Sequence, residues 1–288
     1  MPESKACGQF SIRQIAGALG ARIEGLDLAA PLDAETLEAV REAFRRHLVL
    51  IFSDQGHLTP QQQARFATHW GELQRLPAGT IDTEGKILQL KTGGPDDRRS
   101  RDADVSDAQK LARPDIWHAD QTFETCPPLG SFLLAHTLPP VGGDTMWANQ
   151  YLAYETLSEP MRAMLGGLTA LHSGEGYYAV IGLDPAKAPR NAHPVVTTHP
   201  ETGRRSLFVN RIWTKRIVEL SETESRVLLD YLYEHSVQPE FTCRHTWTEG
   251  DLVMWDNRCT QHYAINDYGR NLRIMHRATA LGSRPQAR

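Results

Sequence analysis

Trp117-His118-Ala119-Asp120 sets an imidazole and a carboxylate two residues apart. Side chains alternate between the two faces of a β-strand, so in a strand both groups project from one face, about 6.6 Å apart along it. His262, far downstream, is the candidate for a third ligand from a distant strand. Two imidazoles and one carboxylate cover one face of an octahedral metal ion and leave the opposite positions open, as in non-haem Fe(II) sites. We therefore predict a strand-borne metal site made of His118, Asp120 and His262.

The composition indicates an ordinary globular protein without a nucleic-acid or membrane partner. The 288 residues are 40% hydrophobic and 23% charged, which is enough apolar mass for a large core. The net charge of −4 lacks the basic excess of a nucleic-acid footprint, and no stretch approaches the roughly 20 apolar residues that span a bilayer. Four cysteines lie at no metal-like or secretory spacing, and no signal core precedes them: Cys7, Cys126, Cys243 and Cys259. We expect one cytoplasmic domain over residues 1–288, with reduced thiols.

Local patterns indicate strands with helices interleaved. Asp33, Thr59 and Ser221 each have the character of a helix N-cap, and Ser221-Glu-Thr-Glu224 is a capping box. The apolar segments Phe132–His136 and Leu272–Thr279 are typical of strands. No glycine-rich phosphate loop follows a strand, which disfavours a doubly wound parallel sheet. We predict an α+β or barrel-with-helices architecture.

The segment from Thr92 to Pro114 is polar, glycine-rich at its start, and almost free of large apolar residues. Its position directly before the His-x-Asp pair favours an active-site lid, since functional loops lie beside the residues they cover. A solvated linker with no role has the same composition. Both interpretations of residues 92–114 stay open.

The last predicted strand carries Arg273 and Arg277, four residues apart and therefore on one face, about 13 Å from each other. If the alternate face lies under helices, both arginines line the interior, where buried cations require anions. Arginine forks bind carboxylates and sulfonates bidentately. Thr145 is a candidate hydroxyl donor to the same carboxylate as Arg273. The alternative is a solvent-facing strand with ordinary surface arginines, which the closeness of His262 in sequence makes the weaker interpretation.

These residues resemble the taurine dioxygenase and 2,4-D dioxygenase family of Fe(II)/2-oxoglutarate-dependent oxygenases. The resemblance covers most of the chain from Ala21 onward. It rests on a set of motifs: Trp117-His-Ala-Asp-Gln-Thr-Phe123, Gly142-Gly-Asp-Thr145, His193-Pro-Val-Val with Thr198-His-Pro200, Leu207-Phe-Val-Asn210, Trp255-Asp-Asn-Arg258 with Gln261-His-Tyr263, and Arg273-Ile-Met-His-Arg277.

The resemblance implies a double-stranded β-helix, or jelly-roll, core with helices packed outside, and a homo-oligomer, either a dimer or a tetramer. It implies Fe(II) at His118, Asp120 and His262. It further implies that Arg273 and Thr145 bind the distal carboxylate of 2-oxoglutarate. The implied substrate contacts are Arg277 for an anionic group, Trp213 as an aromatic pocket residue, and the backbone N–H of Gln121.

The reaction implied by the resemblance consumes O2 and 2-oxoglutarate, releases succinate and CO2, and hydroxylates a C–H of a small anionic molecule. A sulfonate, a sulfate ester or an aryloxyalkanoate fits this description. Taurine itself is disfavoured, because Leu76, Gly79 and Pro114 stand near positions that hold its headgroup in the family. Two alternatives remain: a Zn(II) hydrolase that uses the same three ligands, and a non-catalytic barrel that binds a small anion through Arg277.

Overall fold

The computed structural model describes residues 4–7, 10–76, 79–93 and 116–287. The α-helices are α1 (Ala34–His47), α2 (Pro60–Ala67), α3 (Gln150–Glu155), α4 (Glu159–Leu165), α5 (Glu175–Val180) and α6 (Glu222–His235). Short 3-10 helices occupy Thr68–Trp70, Pro185–Lys187 and Pro239–Phe241. The strands are β1 (Ser4–Cys7), β2 (Phe10–Gln14), β3 (Ala21–Glu24), β4 (Val49–Phe52), β5 (Leu88–Thr92), β6 (Gly130–Thr137), β7 (Thr145–Asn149), β8 (Thr169–Ser173), β9 (Arg190–Pro194), β10 (Val196–Thr198), β11 (Arg205–Leu207), β12 (Thr214–Ile217), β13 (Thr242–His245), β14 (Leu252–Asp256), β15 (Thr260–Ala264) and β16 (Arg273–Ala280).

The largest sheet has eight strands in the order β1-β2-β3-β4-β14-β6-β16-β5. Neighbouring strands in it are antiparallel, except that β3 and β4 are parallel. Two three-stranded sheets follow the orders β13-β7-β15 and β12-β8-β9, and β10 pairs with β11. The predicted α+β class is confirmed.

The eight-stranded sheet packs on both faces. One face buries Ile51, Val253 and Met275 against Trp147 of β7, so the large sheet and the β13-β7-β15 sheet share a core. The opposite face buries a second cluster together with α1 and α2, in which Phe44 and Phe66 are the helix residues of largest volume. Alternating strand residues thus enter two different cores, as the two-residue period of a strand requires.

Three helix starts follow from their local sequence. The Asp33 carboxylate accepts a hydrogen bond from the Thr36 N–H at 2.7 Å and caps α1. Thr59 with Gln62 forms a complete capping box at α2, and Ser221 with Glu224 forms one at α6. A capping side chain satisfies backbone N–H groups that have no partner within the helix. The three predicted N-caps are confirmed.

The two arginines of β16 face the interior. Arg273 and Arg277 share a face with Met275, which lies in the core between the sheets, whereas Ala278 lies in the core beneath α2. From α2, the Gln63 side-chain amide donates to the His276 carbonyl at 2.9 Å. The predicted orientation of this strand is therefore confirmed, and the interpretation as a surface strand is wrong.

The predicted lid or linker at 92–114 lies outside the described residues, apart from Thr92 and Gly93. Thr92 is the last residue of β5 and pairs with Arg273, so this first position of the predicted loop belongs to a sheet. Cys126, Cys243 and Cys259 are free thiols. Within the described residues, none of the helices combines the length and apolar character that a bilayer crossing requires.

Candidate metal centre and anion site

His118 and His262 face each other across an isolated backbone bridge. The His118 N–H donates to the His262 carbonyl at 3.0 Å, and the His262 N–H donates to the His118 carbonyl at 2.7 Å. The two imidazole rings are 4.1 Å apart between centroids. Since His262 lies on β15, the structure brings a residue from a distant strand to His118, as the sequence predicted.

Asp120 completes the group from a turn. Its Oδ1 lies 3.9 Å from Nε2 of His118 and 3.9 Å from Nε2 of His262. Two donors that are each about 2.1 Å from one ion lie at most about 4.2 Å apart, so these separations suit a shared ion. The strand predicted across His118 and Asp120 is wrong, because Asp120 begins a turn in which Gln121 has a φ of 48°.

Two residues that the sequence analysis missed fix the orientation of Asp120. The Ser131 hydroxyl donates to Asp120 Oδ2 at 2.9 Å, which leaves Oδ1 toward the imidazoles. The Asn257 side chain accepts from the Asp120 N–H at 2.6 Å and donates to the Asp120 carbonyl at 3.0 Å. Such supporting bonds orient metal ligands. Asn257 lies within the motif Trp255-Asp-Asn-Arg258, which is the signal that could have found it.

The electrostatics favour neutral imidazoles beside a charged carboxylate. Burial lowers the pKa of His262 to about 3, and burial also lowers the pKa of His118. His118 Nδ1 lies 2.7 Å from the Ile116 carbonyl, so a proton on Nδ1 leaves the Nε2 lone pair free. Burial alone would raise the pKa of Asp120, but Arg277 and the two histidines outweigh it and lower that pKa to about 2. This neutral–neutral–anionic set is the form that binds a divalent first-row ion.

Arg273 is a buried cation without an ion-pair partner among the described residues. Within the part of the chain that the structure describes, its guanidinium donates only to the Gly143 carbonyl, at 3.4 Å, and its Nε has no hydrogen-bond partner. Burial lowers the pKa of Arg273, which reflects the cost of holding a charge away from water. An anionic ligand would offset that cost.

Trp247 connects Arg273 with Thr145. The Arg273 guanidinium lies 5.8 Å from the Trp247 ring centroid, and the indole N–H donates to the Thr145 hydroxyl at 3.0 Å. Since the Thr145 oxygen accepts this bond, its own O–H is free to donate. The structure thus brings together the two residues predicted to hold one carboxylate. Trp247 looked like a core residue in the sequence, and no local pattern distinguished it.

Arg277 contacts the metal group directly through Asp120. One of its terminal nitrogens is 3.5 Å from Asp120 Oδ1, and its Nε has no hydrogen-bond partner among residues 4–7, 10–76, 79–93 and 116–287. A second anion would meet a cation here, immediately beside the candidate metal donors.

Trp213 and Gln121 both adjoin the metal group. The Trp213 indole N–H donates to the Ala119 carbonyl at 2.9 Å, and its ring lies 6.5 Å from that of His118. Phe123 packs edge-on against Trp213 at 4.9 Å. The Gln121 side chain accepts from the Gln74 amide at 3.2 Å. Gln74 was not predicted to reach the site, because its approach depends on its backbone bond to Thr279 of β16.

The positions that depart from the taurine pattern lie partly within the described residues. The Leu76 N–H donates to the Gly85 carbonyl at 2.8 Å, and Gly79 has a φ of +77°. Pro114 lies outside the described residues.

A second buried group has similar composition but different chemistry. Donor atoms of His199, Asp256 and Cys259 lie within 4.8 Å of one another, as do those of the first group. His199 Nε2 lies 3.0 Å from Asp256 Oδ2, and its Nδ1 accepts two backbone N–H groups at 3.2 Å. Arg258 donates to both Asp256 oxygens, at 2.9 and 2.6 Å. Because these donors are already engaged by the protein, the second group does not fit a metal ion.

Comparisons with known proteins agree on one family. The sequence profile of the taurine catabolism dioxygenase TauD, TfdA family matches residues 11–279. The chain is 37% identical to an alkylsulfatase of Acinetobacter baylyi, with 95% of this chain and 86% of that protein covered. It is 38% identical to an alpha-ketoglutarate-dependent sulfate ester dioxygenase of Pseudomonas putida, with 96% and 91% covered. The crystal structure of a taurine dioxygenase from Burkholderia xenovorans superposes with a TM-score of 0.81 at 34% identity, over 96% of this chain and 92% of that one.

Proposed function

The chain belongs to the TauD, TfdA family of taurine catabolism dioxygenases, and from this premise we propose that it is an Fe(II)- and 2-oxoglutarate-dependent dioxygenase. Its substrate is a small anionic organic molecule that is hydroxylated at a C–H bond. The observation that carries the proposal is the buried Arg273, which has no ion-pair partner in the described part of the chain. It lies on the same strand face as Arg277, which contacts the candidate metal ligand Asp120. This arrangement provides separate anchors for two anions. The proposal includes a double-stranded β-helix built from the large sheet and the β13-β7-β15 sheet.

His118, Asp120 and His262 would hold the ion through two imidazole nitrogens and the Asp120 carboxylate. Fe(II), when bound there, would supply the oxidising chemistry of the reaction together with 2-oxoglutarate and O2. Ser131 and Asn257 keep Asp120 in its orientation by the hydrogen bonds described above. Trp213 and Phe123, both buried, form an apolar wall beside His118 that excludes water.

Arg273 and Thr145 bind the distal carboxylate of 2-oxoglutarate. The guanidinium donates two parallel bonds to a carboxylate, and the free Thr145 O–H adds a third. Arg277 binds the anionic group of the substrate and so places the adjacent carbon beside the metal. The Gln121 N–H contributes a further contact to this group.

A sulfate ester is the substrate class that the relatives favour, since two of them carry that chemistry in their names. Hydroxylation of the carbon that bears the ester oxygen gives a hemiacetal-like sulfate, which loses hydrogen sulfate and leaves an aldehyde. One oxygen atom of O2 enters the substrate and the other enters succinate, while CO2 leaves from 2-oxoglutarate. Sulfonates and aryloxyalkanoates break down in the same way, after hydroxylation of the carbon that bears the sulfonate or the ether oxygen.

The zinc hydrolase is not supported by these relatives, and product analysis separates the two reactions. Protein loaded anaerobically with Fe(II) is mixed with 2-oxoglutarate, hexyl sulfate and air. We expect succinate, hexanal and sulfate in equal amounts. Hexanol and sulfate without succinate, formed equally well without O2, would establish hydrolysis instead. The Arg273→Met variant is the control, because it removes a 2-oxoglutarate anchor and leaves the three metal ligands in place.

The proposal also covers organisation and location. We infer a single domain over residues 1–288 that forms a homo-oligomer in the cytoplasm, where Cys126, Cys243 and Cys259 remain reduced. Light scattering of the purified protein checks the oligomeric state.

A further inference from the structure

Three large apolar side chains lie exposed at the end of α5 and in the turn that follows it. Val180, Ile181 and Leu183 are 49%, 46% and 51% exposed. Single exposed apolar residues are normal on a protein surface, whereas a group of them marks a contact with a ligand or partner. We name these three residues the α5 ridge.

Val180 and Ile181 of the α5 ridge continue the helix side that begins with Tyr177. Val180 and Ile181 are three and four residues beyond Tyr177, a spacing that places side chains on one side of a helix. The Ile181 N–H donates to the Tyr177 carbonyl at 3.0 Å, and the Leu183 N–H donates to the Tyr178 carbonyl at 2.8 Å. These bonds hold the end of the ridge against the helix.

Aromatic rings join Tyr177 to the candidate metal centre. Tyr177 stacks on Phe123 at 5.9 Å and meets Trp213 at 6.4 Å. Trp213 in turn packs against His118. An aromatic path therefore runs from the metal donors to Tyr177, and Val180 and Ile181 follow Tyr177 one helical turn further along α5.

We propose that the α5 ridge binds the alkyl tail of an amphiphilic substrate, a refinement that rests on the proposed function. The anionic headgroup meets Arg277 on the Asp120 side of the metal group, and the tail leaves past Trp213 on the His118 side. An extended chain advances about 1.2 Å per bond, so roughly ten bonds of a saturated chain reach from the His118 ring past Tyr177. The substrate class is a medium- to long-chain alkyl sulfate or sulfonate.

A second copy of the chain is the competing occupant, and two observations disfavour it. A stable interface buries about 800 Å² on each partner, of which three half-exposed side chains supply a small part. The ridge also lies on the same helix as Tyr177, which packs against the aromatic wall of the site, a connection that a subunit contact does not require.

The chain-length dependence of turnover tests this assignment. Linear alkyl sulfates from butyl to decyl, below their micellar concentrations, are compared by kcat/KM for succinate formation. A fully buried methylene is worth about fourfold, so a half-exposed ridge gives about twofold per methylene once the tail passes Tyr177. Ile181→Ser and Leu183→Ser each lower kcat/KM for decyl sulfate about tenfold more than for butyl sulfate. Val227→Ser, at an apolar position on α6 that is 63% exposed, leaves the dependence on chain length as in the native protein.

Each other outcome overturns a defined part of the account. A native protein that turns over butyl and decyl sulfate equally well contradicts the tail-binding ridge but keeps the proposed function. If no alkyl sulfate of any length supports succinate formation, the sulfate-ester form of the proposed function itself fails. A change in molar mass of Ile181→Ser or Leu183→Ser, with an unchanged chain-length dependence, identifies the ridge as a subunit contact and overturns the proposal.

Discussion

The groups His118–Asp120–His262 and His199–Asp256–Cys259 are both buried and both combine histidine with aspartate, yet they differ in how many donor atoms are free. In the first group, Asp120 Oδ1 and two imidazole nitrogens face one another without hydrogen bonds between them. In the second group, Arg258 occupies both oxygens of Asp256, and His199 uses both ring nitrogens. Residue type therefore does not identify a metal site, whereas the hydrogen bonds around each donor do.

The charges and pKa values of the two groups support the same conclusion. Burial raises the pKa of the Cys259 thiol, which keeps it protonated and a poor ligand. Burial would also raise the pKa of Asp256, but Arg258 and His199 hold that pKa well below its usual range. The second group is a closed ion-pair network that stabilises the fold. The first group has an excess of cations, Arg273 and Arg277, which can bind anionic ligands.

Loss of Asp120 has the largest expected effect. Asp120→Asn keeps the shape of the side chain but removes the charge that a divalent ion requires. We expect turnover of 2-oxoglutarate to fall at least about 1,000-fold, or about 4 kcal/mol in the activation barrier, while the thermal unfolding temperature changes little. A variant that turns over within tenfold of the native rate would show that Asp120 is not a ligand.

The matching change in the second group, Asp256→Asn, is expected to act on stability. It leaves the partly buried Arg258 with Glu201 as its remaining ion-pair partner among the described residues, and breaking a largely buried pair costs up to about 3 kcal/mol. Urea unfolding of the metal-free protein measures this loss. The kcat of the fraction that remains folded and loaded with Fe(II) should stay within about threefold of native. A selective loss of kcat without a loss of stability would contradict the structural role.

Substitution of Arg273 or of Arg258 should distinguish the roles of the two groups in the same way. Arg273→Met removes charged hydrogen bonds worth about 1.5 to 3 kcal/mol, so the KM for 2-oxoglutarate should rise about 100-fold. Arg258→Met, the control, should lower the free energy of unfolding and leave that KM unchanged. Steady-state kinetics with varied 2-oxoglutarate distinguishes them. Equal KM values for native protein and Arg273→Met would remove Arg273 from the cosubstrate site.

As the pH falls, the first group should lose its contribution to the free energy of unfolding at a higher pH than the second group does. The pKa of His262 is about 3 in the folded protein and about 6.5 in the unfolded chain. Below pH 6.5 the unfolded state therefore binds the proton first, and the free energy of unfolding of the metal-free protein falls by about 1.4 kcal/mol for this residue by pH 5.5. The lowered pKa of Asp256 keeps that carboxylate ionised in this window, since its contribution is lost only below about pH 4.

Urea unfolding at pH 7.5 and pH 5.5 measures this difference. His262→Gln should remove its share of the acid-induced loss, and Asp256→Asn should retain the loss in full. An unchanged decline in His262→Gln would mean that His262 is not held neutral by burial.

Helix caps, the strand face of the arginines and the three candidate ligands were readable from the sequence, whereas the long-range contacts that support the ligands were not. The caps at Asp33, Thr59 and Ser221 and the inward face of Arg273 and Arg277 follow from spacing within one element. The strand predicted across His118 and Asp120 is wrong, because the positive φ of Gln121 in the turn that begins at Asp120 belongs to no two-residue period.

The missed site residues act across large sequence distances. Ser131 and Asn257 reach Asp120 only after the chain has folded, and Trp247 connects Thr145 with Arg273 in the same way. Each looks in the sequence like an ordinary strand or turn residue. The second group was likewise not predicted from the sequence, because the motif Trp255-Asp-Asn-Arg258 does not reveal that His199 lies against it.

Anaerobic titration with Fe(II), followed by removal of free metal and metal analysis, tests the difference between the two groups most directly. We predict one ion per chain for the native protein and one for Asp256→Asn, both with 2-oxoglutarate present. Asp120→Asn should bind at least about 100-fold more weakly. Two ions in the native protein, or undiminished binding in Asp120→Asn, would contradict the account.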